Sequence, residues 1–384
     1  MIIRLPLGYI PLLDAAPLIV AQELGFAEEE GLELELVPAS GWSMLRDLLD
    51  FGQVVAAQML SVMPVARALG LGGGAEPLET ALVLSLNGQV FGVSSALSQV
   101  FVGTGFGDAA ATAAALAALD GPLRIGVPFA FSMQAELLHY WLSRAAPDAR
   151  IDIRTVPPPR MSAALLADEI DGFCVGEPWG SHAVDAACAR LVLPGSAIWS
   201  QAPEKVLAMR SGWAEAEPEL AGRLLRAIWR AGRWTGDPAN GDTLSEILAL
   251  PSYLDMSSDL IDRALHGRLL LSRTGPEVPV AQFQTFHAGL ANFPWRSQAA
   301  WIGARLAERF DLPSEVAQAT ASRVFRSDLY RRHLGPVGAP LPRASGKIEG
   351  MIDMRESLPA VHGTLMLERN RFFDGQIFDP VLPA

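Results

Sequence analysis

Along the first two hundred residues the apolar positions switch repeatedly between two periods. "IIRLPLGYI" is a short apolar run, "APLIVAQELGF" has helical spacing and stops at Gly25, and "LELELV" alternates with the period of a half-buried strand. "SMLRDLLDFG", "VVAAQML", "PVARALG" and "TALVLSLNG" continue the rhythm as helix, strand, helix and strand. A second series follows: the alanine-rich helix "DAAATAAALAALDGP", then "LRIGVP", "SMQAELLHYWLSRA", "RIDIRTV", "MSAALLADEI", "DGFCVGEPW" and "ARLVLPG". Strands alternating with helices predict mainly parallel sheets with helices on their faces. After the strand-like "EKVLAMR" the pattern turns helical, with "AEPELAGRLLRAIWRAGRW" and "SQAAWIGARLAERF" as its strongest segments. The last forty residues carry many Pro and Gly, and "RFFDGQIFDP" is too aromatic to stay in water; an arm packed over the body is expected.

Two βα series and a helical return suit a two-lobed α/β protein. The expected division is residues 1–88 for the first part of lobe 1, 89–204 for lobe 2, 205–340 for a mostly helical return to lobe 1, and 341–384 for the arm. In such sheets ligands lie beyond the carboxyl ends of the strands, so the strand-end loops are where chemistry is sought.

Composition narrows the chemistry. With 384 residues, half of them hydrophobic, the chain can bury a sizeable core. Its net charge of −12 and lack of a basic stripe argue against direct nucleic-acid binding. No apolar run is long enough to cross a membrane. Cys174 and Cys188 form no CxxC pair and read as core residues. The six histidines (139, 182, 266, 287, 333 and 362) fall at no metal-ligand spacing, and neither GxSxG nor GxxxxGK[ST] occurs. Neither a cofactor nor an enzyme activity is expected. Glu177 in "GEPW" stands at a strand end, where a carboxylate more often caps a helix or braces a hinge than acts as a base.

One cation stands out: in an arginine-rich chain, only Lys205 and Lys347 are lysines. A small anion against the Lys205 ammonium would account for it. Other strand-end loops offer uncharged donors and flat surfaces: Trp42 at a helix start, Gln89 after the Asn87-Gly88 turn, Gln134 in the first turn of a helix, and the stiff wall of "VPPPRM".

Taken together, "DAAPLIVAQELGF", "SGWSMLRDLL", "AAQMLSVMPVARALG", "LNGQ", "VPPPRM", "DGFCVGEPW", "PEKVLAMR" and "RFFDGQIFDP" resemble the NrtA/CmpA-type nitrate- and bicarbonate-binding proteins of ABC transporters. The resemblance implies a two-lobed periplasmic-binding-protein-like fold of type II with a helical C-terminal extension. By position it implies a ligand pocket of Trp42, Gln89, Gln134, Pro158, Val175 and Lys205, with no metal. A lysine at 205 resembles the nitrate-binding branch, whereas the bicarbonate branch has a glutamate and an assisting metal. Gln134 departs from the histidine common in that family, which bears on nitrate against nitrite. The start "MIIRLPLGYIPLL", with Pro6 and Pro11 inside its apolar stretch, does not read as a secretory signal. The expected sub-branch is therefore the cytoplasmic NasS-like nitrate/nitrite sensors. That likeness implies a NasT-like RNA-binding antiterminator of the ANTAR type as partner, released when the anion closes the lobes near residues 87–93 and 203–210. The competing expectation is the solute-binding component of a nitrate-type importer.

Overall fold

The structure is a computed structural model that describes residues 2–74, 76–361 and 363–382, so His362 lies outside the described residues. Among the described residues the two main sheets are built chiefly from β1 (Ile3–Tyr9), β2 (Leu32–Pro38), β3 (Ala56–Leu60), β4 (Leu78–Asn87), β5 (Gln89–Ser94), β6 (Leu123–Val127), β7 (Ile151–Thr155), β8 (Gly172–Gly176), β9 (Ala189–Pro194) and β10 (Pro203–Arg210). The first sheet has the order β4-β10-β3-β1-β2, extended at the β4 edge by the short strand Gln284–Thr285; the second runs β7-β6-β8-β5-β9.

The sheets are mixed, where the sequence pattern predicts mainly parallel ones. β1 pairs in parallel with β2 and β3, and β6 with β7 and β8, as βα units require. β10, however, lies antiparallel between β3 and β4, and β5 lies antiparallel between β8 and β9. The reason is topological. Each of these strands enters its sheet from the other lobe, without the helical crossover that would make it parallel. β4 passes into β5 through Asn87-Gly88, and β9 leads back to β10 through residues 195–202. These two passages are the lobe crossings.

Burial follows the expected physics. β3 and β4 are buried at every position, so their apolar runs pack on both faces, while β2 alternates at its start. Helix Pro218–Thr235 begins with proline in its first turn and buries Leu224, Leu225, Ile228 and Trp229 on one face. One apolar cluster runs from Trp42 and Leu45 in lobe 1 to Phe91 and Trp141 in lobe 2. The C-terminal segment packs on the body: the Phe372 ring lies 5.0 Å from Trp199, 5.3 Å from Tyr140 and 5.8 Å from Trp301.

Candidate functional site

On a regular strand, consecutive side chains point to opposite faces, so Glu204 and Lys205 should not meet. Around these residues the register of β10 on β4 shifts between Pro203 and Lys205 and again between Lys205 and Val206. Such an irregularity re-aims side chains. Here Lys205 Nζ comes to lie 2.5 Å from Glu204 Oε1. On its other side stands Asp14 Oδ2, at 2.8 Å, carried by the 3-10 turn Leu13–Ala15 that follows β1. All three charged residues are at most 2% exposed.

Neutral groups complete the cluster. Gln58 of β3 accepts from the Ile10 amide at 2.8 Å and donates its Nε2 to Asp14 Oδ1. Gln134, from helix Met133–Ala145 of lobe 2, donates Nε2 to Glu204 Oε1 at 2.6 Å. The Trp42 ring centre lies 5.4 Å from the ammonium. Gly176, at the end of β8, presents no side chain to the site; a Cβ there would lie 3.7 Å from Asp14 Oδ2 and 3.9 Å from Gln134 Nε2.

Burial raises the pKa of both Asp14 and Glu204 above the ordinary carboxylate range, although Lys205 pulls each downward. Burial alone would depress Lys205, but the charges of Asp14 and Glu204 outweigh it and its pKa rises. The three groups therefore titrate as a unit, with the ammonium kept and the carboxyls competing for a proton.

Several buried polar atoms in this region have no protein partner: Trp42 Nε1, Gln134 Oε1, Glu204 Oε2 and both ends of the Gln89 amide. Buried polar groups are normally satisfied, and unsatisfied ones mark strain or a ligand's place. Helix Trp42–Asp50 adds a first turn without a side-chain cap, following an extended Gly41.

Of the six residues singled out from the sequence, Trp42, Gln134 and Lys205 meet in this cluster. Gln89 begins β5, opposite Gly176 of β8, and its amide lies against Gly195, where a Cβ would come within 2.7 Å. Val175 is placed otherwise. Its side chain belongs to an apolar cluster with Val90, Met161 and Phe173, because alternation along β8 puts it on the face opposite Cys174 and Gly176. Pro158 is buried at the start of the turn Pro158–Arg160. A cavity of about 270 Å³, lined by Thr235, His266, Phe283, Gln284 and His287 among others, holds none of the six.

Sequence reasoning missed Asp14, Gln58 and Glu204. Asp14 lies inside the recognisable "DAAPL" run, and Glu204 is hidden by the strand alternation that the register shift breaks. Glu177 has the capping role: its Oε2 accepts from the Ser181 amide at 3.0 Å. Its backbone carbonyl accepts from the Leu13 amide of the other lobe at 3.1 Å, and burial pushes its carboxyl pKa up to about 7.

A sequence profile described as the NMT1-like family matches residues 3–249. The "Nitrate/nitrite binding protein NrtA" of Synechococcus elongatus is 30% identical over 391 residues, covering 98% of this chain and 84% of the relative. The chain belongs to the NMT1-like family, of the NrtA/CmpA type. The crystal structure of the periplasmic nitrate-binding protein NrtA from Synechocystis PCC 6803 superposes with a TM-score of 0.85 at 25% identity, covering 98% of this chain and 96% of that one. The "Nitrate import ATP-binding protein NrtC" of a Synechocystis strain is 35% identical over 342 residues, which are 87% of this chain; the chain spans about half that relative's length, 50%. The family's relatives are thus solute-binding proteins or transport components by name, in keeping with a binding role.

Proposed function

We propose that this chain binds a small planar oxyanion, nitrate or nitrite, between its lobes, and that lobe closure over the anion is its output. The observation that carries the reading is a buried ammonium faced by groups of both lobes, Trp42 and Gln134, in a region that also holds unpartnered buried polar atoms. Trp42 Nε1 and the Gln89 amide are orphaned, Gln134 reaches in from lobe 2, and Lys205 still has a third N–H beyond its two carboxylate partners. An anion that only accepts hydrogen bonds suits these donors.

The test is isothermal titration calorimetry with sodium nitrate and sodium nitrite on the intact chain and on Trp42→Phe. That change keeps the ring's bulk and removes one N–H. A hydrogen bond to a charged group is worth about 1.5–3 kcal/mol, so affinity should fall roughly 10- to 150-fold. Unchanged affinity in Trp42→Phe would remove Trp42 from the pocket, and no binding to either anion would overturn the reading.

Two outputs follow from this closure. In the first, the chain is a cytoplasmic sensor that holds an ANTAR-type RNA-binding antiterminator and releases it when nitrate binds; the resemblance to the NasS-like branch supports this. In the second, it is the solute-binding part of an importer, a reading favoured by relatives named as nitrate import and nitrate-binding proteins. A pull-down with and without nitrate separates them. The sensor captures an RNA-binding protein that the anion dissociates, and the importer component captures a membrane permease.

A further inference from the structure

We propose that the oxyanion enters this site together with one proton, and that Asp14 and Glu204 form the specificity-determining pair that receives it. This rests on the oxyanion reading above and goes beyond it.

The argument begins with charge. Two carboxylates and one ammonium leave the buried cluster with a formal charge of −1 when all three are ionised. Adding a nitrate would bring it to −2 in a water-excluded space, and like charges buried together disfavour joint ionisation. A proton on one carboxyl keeps the loaded site at −1.

Hydrogen bonding gives an independent argument. Glu204 Oε2 is buried without a partner, on a residue with no exposure. As a carboxylate oxygen it can only accept, and nitrate also only accepts, so the two would face each other lone pair to lone pair. Protonated, the same carboxyl becomes a donor, and the mismatch is removed. The balance is simple. One proton leaves water or buffer, one O–H bond forms on a carboxylate oxygen, and no electron moves.

The groups facing the pair are few. Lys205 and Glu204 come from β10, Asp14 from the turn after β1, Gln58 from β3, Trp42 from its helix and Gln134 from lobe 2. Cys174 of β8 feels the charge of Glu204, and burial holds its thiol far above the neutral range, so it remains protonated. Glu177 is another buried carboxyl, with its pKa pushed up to about 7 by burial, but it is bound to the Ser181 amide and the neighbouring charges acting on it are those of Asp185 and Arg263. It serves as the control.

Calorimetry of the intact chain with nitrate tests the proposal. Titrations run between about pH 6 and pH 9, in buffers of differing ionisation enthalpy. For nitrate, the observed enthalpy should scale with that of the buffer, approaching one proton taken up per anion. Its Kd should weaken by up to about tenfold per pH unit over part of the range. Glu204→Gln mimics the protonated carboxyl and should bind nitrate at the alkaline end as tightly as the unaltered chain does only at lower pH. Asp14→Asn is the second variant should the first fail to fold, and Glu177→Gln should keep the full slope. Nitrate binding with a flat Kd and buffer-independent enthalpy would overturn the inference while leaving the oxyanion reading intact. No nitrate binding at any pH would overturn both.

Discussion

Replacing Lys205 by methionine isolates the cost of the cluster from any question about its ligand. Methionine matches the bulk of the lysine stem, so little packing is lost. What remains is two carboxyls, Asp14 and Glu204, each at most 2% exposed, without the ammonium that sat 2.8 and 2.5 Å away. Removing one partner of a buried ion pair typically costs about 3–5 kcal/mol, because the other charge is left uncompensated. The sign with pH follows from the direction of the shifts. The folded pKa values of Asp14 and Glu204 are raised, so their contribution to stability is present below the unfolded carboxyl values and is lost as pH rises through the folded ones. Without Lys205 they rise further. The deficit of Lys205→Met against the unaltered chain should therefore be full near pH 8 and shrink towards pH 4. There the unaltered chain is the one that buries an unpaired ammonium. Urea unfolding followed by circular dichroism at both pH values measures this. A variant as stable as its parent at pH 8, or a deficit that grows on acidification, would refute the ion-cluster account.

Other perturbations test other joints of the molecule. Phe372→Ala empties the ring's place between Trp199, Tyr140 and Trp301 and should cost about 3–5 kcal/mol in denaturant unfolding; a loss under about 1 kcal/mol would mean the arm is loosely held. Tyr140→Phe removes only the hydroxyl 3.0 Å from Asp374 and should cost about 1 kcal/mol by the same measurement. Gly88 at the first lobe crossing has φ +86°, and a Cβ there would fall 2.7 Å from Gln284 Cδ. Gly88→Ala should therefore destabilise by about 1–3 kcal/mol, visible as a lower thermal midpoint.

The alternating and helical periods along the chain were enough to locate the principal strands and helices, because burial on one face is what each period records. The mixed character of the sheets was not legible. Nothing local in "QVFGVS" or "PEKVLAMR" states that β5 and β10 arrive from the opposite lobe and so run antiparallel. In the candidate site, Trp42, Gln134 and Lys205 were visible as odd residue types at element ends. The acids around Lys205 were not, for two different reasons. Glu204 is adjacent in sequence, and only a shift in strand register, a property of the pairing partner, turns it to the same side. Asp14 lies 191 residues away from Lys205 by number, and only the fold makes them neighbours. Val175, expected only from the resemblance, has its side chain in the apolar cluster with Val90 and Phe173, a placement set by strand parity.

The division of these groups between the lobes bears on how closure is driven. Asp14, Glu204 and Lys205 all belong to the lobe 1 sheet or the turn leaving it, whereas lobe 2 contributes the neutral Gln134 amide and the bare Gly176. Lobe 1 thus holds the charges and lobe 2 removes the water. Dehydrating a net negative cluster costs several kcal/mol per uncompensated ion, so the charges themselves oppose closure. The direct contacts across the lobes include Leu13 N to Glu177 O at 3.1 Å, Trp179 Nε1 to Pro11 O at 3.2 Å, the Glu136–Arg309 pair and the Gln134–Glu204 bond, beside the shared apolar cluster. Two of these lie on residues 11–13, immediately before Asp14, so the proposed protonation of Asp14 would act on the same short segment that docks lobe 2. A micromolar ligand supplies about 8 kcal/mol in total, and moving the lobes from 1:99 to 99:1 requires about 5.5 kcal/mol of differential affinity. An anion touching lobe 1 alone could not deliver that fraction. On the oxyanion reading proposed above, the ligand has to bridge Trp42 and Lys205 to Gln134 or Gln89, and the proposed proton, by lowering the dehydration cost, works in the same direction.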